Sequence, residues 1–135
     1  MVRFEKLSAN KVYPYVDATV DADYKNGTFG AVASGVFTAG ATGFNVIMNI
    51  EKGDDAKSAD YKVAKGANAR IADLSLVDGQ IVDITSEQLY TGVKKGDKMV
   101  SKADGTLNAP STAPTEKYLE VVEVTDFGVR AKIVK

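Results

Sequence analysis

The sequence predicts a mainly β protein, a small β-barrel or β-sandwich built from hairpins with one or two short helical turns. Three observations lead to this fold class. Short apolar or alternating runs rich in Val, Ile, Phe and Tyr recur along the 135 residues, and such residues suit a pleated, half-buried strand. Turn dipeptides that contain Gly separate several of these runs. The apolar residues nowhere keep the 3.6-residue period of a long amphipathic helix.

Eight segments combine β-branched and aromatic residues with turn signals beside them, and we expect each to be a strand. In chain order they are Val12–Thr19, Ala31–Phe37, Phe44–Ile50, Ile71–Val77, Gln80–Ile84, Lys98–Ser101, Tyr118–Val124 and Val129–Val134. The length suits one domain of common size, and 44% hydrophobic residues supply a core. We therefore predict one β domain over residues 1–135, with the Gly- and Ala-rich portion 1–50 as its candidate flexible part.

Three dipeptides readily supply the positive φ angles of tight hairpin turns; they are Asn26-Gly27, Asp78-Gly79 and Asp104-Gly105. The second of them lies between two predicted strands. A two-residue loop there would give the pairs Val77:Gln80, Leu76:Ile81 and Leu74:Asp83. These pairs match only partly in polarity, so the register of this hairpin is loosely specified.

The last predicted strands form a second hairpin, with Asp126-Phe127 as its turn. The register would then give the pairs Val124:Val129, Glu123:Arg130 and Val122:Ala131. An ion pair would thus lie between two apolar pairs, and each such cross-strand pair contributes about 0.2–1 kcal/mol. The match in polarity favours this hairpin.

Helical signals are short. Thr85-Ser86-Glu87-Gln88 has the form of a capping box, but Thr91-Gly92 follows closely and limits the helix to one or two turns. Asp54–Lys65 has the composition of a second short helix and equally that of a polar connection. Asn108–Thr115 contains two of the three prolines and predicts a surface loop.

The composition removes whole classes of chemistry. The chain has no His, Cys or Trp, so it lacks the imidazole base of Ser-His-Asp and Cys-His nucleophiles. Ordinary zinc, haem and iron–sulfur sites are excluded as well, because His and Cys hold them. The 18 acidic residues guarantee some pairs by chance, but none is marked as a buried catalytic pair. We expect no enzymatic activity, no cofactor and no metal.

Charge and hydropathy indicate neither nucleic acid nor membrane as a partner. Lys and Arg number 17 against 18 Asp and Glu, whereas nucleic-acid binding needs concentrated basic residues. Met1–Lys6 does not begin a signal peptide, because no apolar segment follows it. Gly27–Ile50, the most apolar stretch, is interrupted by glycines and hydroxyl residues and falls short of the roughly 18 continuous apolar residues of a membrane helix.

Two motifs resemble ligand loops and fail in detail. Counted from Asp21 as an EF-hand, positions five, six and twelve are Lys25, Asn26 and Val32, where ligands and a Gly are needed. Gly40-Ala41-Thr42-Gly43 lacks the Gly-Lys-Ser/Thr ending of a phosphate loop. Backbone freedom and close chain approach explain these glycines better.

Aromatic residues of the first half supply the candidate interaction surface. Its members are Tyr13, Tyr15, Tyr24, Phe29, Phe37 and Phe44. Acidic residues surround the tyrosines, which disfavours base stacking on nucleic acid. Two interpretations stay open: aromatic residues half-buried on a sheet, or a surface for a protein or carbohydrate. A carbohydrate- or ligand-binding β module is therefore the alternative function.

Three stretches resemble small structural proteins of tailed bacteriophages, most nearly the head decoration or capsid cement proteins. They are Thr91–Val100 with its Gly-Val-Lys-Lys-Gly-Asp pattern, Asp104–Leu107 before the Pro/Thr/Ser loop, and the closing hairpin Tyr118–Val134. The resemblance covers the last 45 residues or so and carries over no individual site residue. It implies a non-enzymatic virion protein, made in the host bacterial cytoplasm, that stabilises the outer capsid surface. Its partner would be the major capsid protein, and it would form a homo-oligomer, a trimer first and a dimer second.

Overall fold

The computed structural model describes residues 2–4, 14–49, 62–85, 88 and 92–135. Strands make up 53% of the described residues and helical turns 4%, which confirms the predicted mainly β fold. In chain order the strands are β1 Val2–Phe4, β2 Tyr15–Val20, β3 Tyr24–Lys25, β4 Phe29–Ala33, β5 Val36–Ala39, β6 Asn45–Ile47, β7 Lys62–Val63, β8 Asn68–Asp73, β9 Ile81–Thr85, β10 Lys98–Ser101, β11 Leu107–Asn108, β12 Tyr118–Thr125 and β13 Gly128–Val134. A 3₁₀ turn covers Leu74–Leu76.

The first half of the chain builds a closed barrel in the strand order β2-β5-β4-β6-β8. The chain closes the barrel by pairing β2 with β8 in antiparallel and with β5 in parallel orientation. Closure removes the edge strands that would otherwise expose unpaired backbone groups. The short strands β3 and β7 form a separate antiparallel pair.

The second half of the chain, joined by the N-terminal strand β1, builds a six-stranded sheet in the order β1-β9-β13-β12-β10-β11. Its strands alternate between buried and partly exposed positions, as in Val82, Asp83 and Ile84 of β9, so one face is covered and the other meets solvent. The covered face packs on the barrel. Phe29 and Val46 of the barrel belong to the same buried cluster as Met99, Leu119 and other residues of the sheet.

A second buried cluster fills the barrel, joined by Val63 of β7, and includes Phe37, Ile47 and Ile71, each with 0% exposure. Full burial of such a side chain contributes about 1.5–3 kcal/mol. The two units thus share one core, and the barrel holds a further core of its own.

Three of the predicted strands are wrong in their extent. Within Phe44–Ile50, the described strand covers only Asn45–Ile47. Ala31–Phe37 is a hairpin, because Ser34 and Gly35 both have positive φ, 52° and 76°, and turn the chain from β4 into β5. Ile71–Val77 stops as a strand at Asp73, whose carboxylate accepts hydrogen bonds from the Ser75 amide at 3.0 Å and hydroxyl at 2.6 Å. Those bonds begin the 3₁₀ turn.

The hairpin predicted at Asp78-Gly79 is therefore wrong as well. The dipeptide does form a turn, closed by the Gln80 amide donating to the Val77 carbonyl at 3.1 Å. The strands on either side belong to different units, however, and the backbone of Gln80 pairs with Ile133 of β13. This turn carries the chain from the barrel to the sheet. Asn26-Gly27 likewise turns between strands that are not partners, β3 and β4.

The two other predicted hairpins are confirmed. Asp104-Gly105 connects the antiparallel strands β10 and β11. In the C-terminal hairpin, Val124 lies opposite Val129 and Glu123 opposite Arg130, as expected. A bulge between Val121 and Glu123 then shifts the register, so Val121, not Val122, faces Ala131.

Candidate functional site: an apolar pocket between barrel and sheet

A pocket of about 490 Å³ lies where the barrel meets the sheet; we call it the seam pocket. Buried side chains from both units line it, namely Phe29, Phe44, Met99, Leu107 and Leu119. More exposed residues surround its mouth, namely Ala41, Thr42, Gly43, Ser101, Glu116 and Lys117. The volume lies within the range of about 300–1,000 Å³ that is usual for small-molecule pockets.

Hydrogen bonds between the two units fix the walls of the seam pocket. The Ser101 hydroxyl of β10 donates to the Gly40 carbonyl at 2.6 Å. The Phe29 amide of β4 donates to the Gly105 carbonyl at 2.8 Å. The pocket is therefore formed before any ligand arrives, and a preformed site does not have to be ordered on binding.

The turn at Gly105 also requires glycine. Its φ is +82°, and a Cβ at this position would lie 2.4 Å from the Thr28 methyl group and 2.7 Å from the Phe29 carbonyl oxygen. The sheet hairpin and the barrel approach each other closely here because the side chain is absent.

The mouth of the seam pocket combines opposite charges with hydroxyl groups. Glu116 and Lys117 contribute one charge of each sign, and Thr42 and Ser101 contribute hydroxyls. Lys117 has a φ of +51°, which is uncommon for a residue with a side chain. A buried apolar interior with a polar rim is suited to an apolar group that carries polar atoms at its outer end.

The predicted phenylalanines lie inside the protein. Phe29 and Phe44 are 2% and 8% exposed and line the seam pocket, while Phe37 is 0% exposed in the core of the barrel. The structure thus brings Phe29 and Phe44 together, but as the lining of a pocket, whereas Phe37 belongs to a different cluster. All three were selected from the sequence as aromatic residues, and no local pattern signals their burial.

The predicted tyrosines lie apart from that pocket. Tyr13 is outside the described residues. Tyr15 packs edge-on against Phe4, with ring centroids 6.1 Å apart, and the Arg70 guanidinium lies 4.1 Å from its ring centroid. Arg70 therefore covers one face of the ring that a stacked sugar would need. Tyr24 stacks edge-on against Phe37 at 5.5 Å.

Asp21, the first residue of the calcium-like motif, takes part in a hydrogen-bond network on the barrel. Its carboxylate accepts from the hydroxyl of Tyr24 and, at 2.8 Å, from that of Thr38. These bonds to the charged form lower the pKa of Asp21. Burial, followed by the bond to Asp21, raises the pKa of Tyr24. Within the described part of the chain, no three acidic side chains converge as metal ligands would.

One exposed aromatic residue was not selected from the sequence. Phe127, at the turn between β12 and β13, is 83% exposed and lines a smaller pocket of about 210 Å³. We predicted from the sequence that Phe127 lies in the hairpin turn, but we assigned it no function. A large apolar side chain at a turn position, where Gly, Asn or Asp is usual, was the available signal.

No family model matches this chain, and no curated protein is similar enough to count as a relative. None of the helical segments in the described ranges is long and apolar enough to cross a membrane.

Proposed function

We propose that this protein is a non-enzymatic structural component of a tailed-bacteriophage particle, which binds the outer surface of the capsid and stabilises it as a decoration, or cement, protein. The observation that carries the proposal is the seam pocket. It is preformed and apolar inside, and Glu116 and Lys117 at its mouth are exposed. Such a pocket suits an apolar side chain that projects from the major capsid protein.

The three stretches that resemble phage cement proteins support the proposal through their common location. The described part of Thr91–Val100 leads into β10, Asp104–Leu107 forms the β10–β11 turn, and Tyr118–Val134 is the β12–β13 hairpin. These are neighbouring strands of one sheet. The same strands supply Met99, Leu107 and Leu119, one wall of the seam pocket. The resemblance and the candidate site therefore coincide.

The energetics of a shell suit a small site of this kind. A single well-buried anchor in an interface contributes about 2 kcal/mol or more, which alone gives weak binding. A capsid repeats the same site many times, and an oligomer that engages several of them gains avidity without new contacts. The protein would then hold neighbouring capsid subunits together through the buried area, with no covalent chemistry.

Sedimentation with purified shells tests this function. Capsids assembled without the protein are incubated with it over a range of concentrations and pelleted. We expect the wild type to co-sediment and to saturate. Thr42→Arg, which places a long charged side chain at the mouth of the pocket, should weaken binding at least about tenfold, or 1.4 kcal/mol. Thr112→Arg, on an exposed loop outside the pocket, is the matched control and should bind like the wild type.

Each outcome of that assay has a distinct meaning. If the wild type stays in the supernatant at every concentration, the decoration function is wrong. If both arginine variants bind like the wild type, the protein binds shells through another surface and the seam pocket is not the site.

One observation favours the alternative, a carbohydrate- or ligand-binding module: the volume of the seam pocket is that of a small-molecule site. A glycan array and a ligand screen by NMR test it. Saturable binding that Thr42→Arg removes and Thr112→Arg retains, together with no binding to shells, would replace the capsid proposal.

A further inference from the structure

The outer face of the six-stranded sheet carries a row of alternating charges across four adjacent strands. The row runs from β1 through β9 and β13 to β12 and consists of Arg3, Asp83, Arg130 and Glu123. Arg3 lies opposite Asp83, Asp83 opposite Arg130, and Arg130 opposite Glu123 in the register of the strands. The nitrogen–oxygen distances between successive members are 3.6, 3.0 and 3.4 Å. We call these four residues the charge row.

An apolar knob and a pocket adjoin the charge row on the same face. Phe127 projects from the β12–β13 turn beside the row with 83% of its surface exposed. The 210 Å³ pocket next to it is lined by Arg3, Thr85, Phe127, Arg130 and other residues of these strands. The pocket therefore extends from the hairpin turn across the ends of β13 and β9 to β1.

The order of signs in the charge row has a symmetry of its own. From β1 to β12 it reads plus, minus, plus, minus, and in the opposite direction every sign is reversed. A row with this property is complementary to a reversed copy of itself. A two-fold contact is self-complementary in the same sense, because a residue that contacts a second residue of the partner is also contacted there in return: i meets j, and j meets i.

We propose that this face pairs with the same face of a second copy of the chain, about a two-fold axis parallel to the strands that passes between β9 and β13. This operation places Arg3 of one copy over Glu123 of the other. It also places Asp83 of one copy over Arg130 of the other. Four contacts between opposite charges result, and no like charges of the row meet.

The same axis also brings Phe127 against a pocket of the facing copy. Phe127 lies beyond β13, so the operation carries it to the β1 and β9 side of the facing copy. The pocket there is lined by Arg3 and Thr85. Each copy thus inserts its Phe127 into the pocket of the other, and both exposed rings are buried at once. The knob, the pocket and the charge row all require the same operation.

Two features favour a second copy over an unrelated protein. The knob and the pocket that would receive it adjoin each other on one face, which a two-fold contact satisfies without any further partner. The formal net charge is −1, so two copies repel each other little. The sequence resemblance placed a trimer before a dimer, whereas the sign pattern of the charge row favours the dimer.

The size of the patch sets the strength of the contact. Strands spaced about 4.8 Å apart place the first and fourth members of the row about 14 Å apart. A patch of this width buries an area well below the roughly 800 Å² per partner of a standard interface. We therefore expect a weak dimer with a dissociation constant in the micromolar range or above, which forms readily where the protein is concentrated on a surface.

Sedimentation velocity over a concentration series measures this dimer. We expect the wild type to dimerise at low salt and to dissociate as salt rises, because exposed charges are screened. Phe127→Ser should weaken the dimer at least about tenfold. Leu76→Ser is the matched control, because Leu76 is a 50% exposed apolar residue that is not among those lining this pocket, and it should dimerise like the wild type.

A charge exchange tests the proposed axis itself. Arg3→Glu alone should be monomeric, because the introduced carboxylate would face Glu123 twice in its dimer, and Glu123→Arg alone should be monomeric for the opposite reason. An equimolar mixture of the two variants should form the heterodimer, in which both contacts join opposite charges again. Each variant has the same intrachain contacts alone and in the mixture, so only a contact between chains can restore association. Circular dichroism confirms that both variants fold.

Three results would overturn the proposal. The first is a wild type that remains a monomer up to several hundred micromolar at low salt. The second is a mixture of the two charge variants that stays monomeric. The third is a Phe127→Ser variant whose dimer has the same dissociation constant as the wild type. Shell binding by the monomeric Arg3→Glu variant is measured in parallel. The self-association proposal and the capsid function can therefore fail independently.

Discussion

The barrel and the sheet differ in how their strand edges and faces are covered. The barrel closes on itself through the β2 pairings and encloses a core of its own around Phe37. The sheet stays open, buries one face against the barrel and presents charges and Phe127 on the other. The seam pocket lies between the two and the charge row lies on the sheet alone. If the two proposals above hold, the barrel serves mainly as the scaffold, and the sheet contributes one wall of the seam pocket and the whole charge row.

The shared core makes the two units depend on each other. Phe29 and Val46 of the barrel pack in one cluster with Met99 and Leu119 of the sheet. We therefore expect one cooperative unfolding transition for both units, as for most domains of this size. Substitutions in the barrel should therefore change the stability of the protein, whereas substitutions on the outer face of the sheet should change its association.

Phe37→Ala should have the largest effect on stability. Phe37 is 0% exposed, and removing a buried Phe side chain costs about 3–5 kcal/mol through lost burial and the cavity left behind. Phe127→Ala, the same change at the exposed turn, should alter stability by no more than about 0.5 kcal/mol. Urea denaturation followed by circular dichroism measures both. Two separate transitions in Phe37→Ala would contradict the shared core.

Gly30→Ala should destabilise the barrel by about 1–3 kcal/mol, the usual cost of overpacking. A Cβ at Gly30 would lie 2.1 Å from the Thr38 carbonyl oxygen of the paired strand β5. Gly40→Ala is the control, because no atom lies within 4 Å of the added Cβ there. The same denaturation experiment compares them, and equal stabilities would show that β4 and β5 are not packed this closely.

Asp21→Asn should change how the barrel responds to acid. Hydrogen bonds from Tyr24 and Thr38 hold the pKa of Asp21 below its usual 3.8 in the folded state. A carboxyl group whose pKa is lower in the folded than in the unfolded state stabilises the protein at pH values above its unfolded pKa. This stabilisation is lost as the pH falls through the folded pKa. The thermal midpoint of the wild type should therefore exceed that of the variant at neutral pH.

The difference in midpoint between wild type and Asp21→Asn should narrow below pH 3.8. Asp126→Asn, in the hairpin turn of the sheet, removes the same charge without these hydroxyl partners and serves as the control. A difference that stays constant with pH would show that the Asp21 network does not depend on the charged carboxylate.

Glu123→Gln should have the smallest effect on the stability of the single chain. The Glu123 side chain is 55% exposed and its oxygen lies 3.4 Å from Arg130, and exposed ion pairs contribute about 0–1 kcal/mol. Thermal unfolding at low protein concentration should therefore change little, while sedimentation at high concentration should show weaker self-association. A large loss of single-chain stability would mean that the charge row serves the fold rather than the surface.

Local patterns in the sequence predicted the fold class and two of the five strand pairings of the sheet, β10 with β11 and β12 with β13. Gly105 and the Asp126-Phe127 turn connect strands that are close in the chain, where a turn dipeptide and matched cross-strand pairs suffice. The barrel closure could not be predicted in this way. It needs a parallel pairing of Thr19 with Val36 and an antiparallel one of Thr19 with Asn68, and no local pattern specifies such distant partners.

The candidate sites were harder to predict for the same reason. Phe44 and Met99 lie far apart in the chain and meet only because two β units pack together. The charge row requires the register of four strands, of which only the pair Glu123 and Arg130 was predicted. Phe29 and Phe44 were predicted as part of an interaction surface, whereas both are buried, and their burial depends on tertiary packing that single positions do not reveal.

An electron cryomicroscopy reconstruction of decorated shells tests the central claim most directly. We expect the seam pocket to face the shell and to hold an apolar side chain of the capsid protein, with Thr42 and Lys117 at the edge of the contact. A reconstruction with the protein bound and the seam pocket open to solvent, or with no bound protein at saturating concentration, would contradict it.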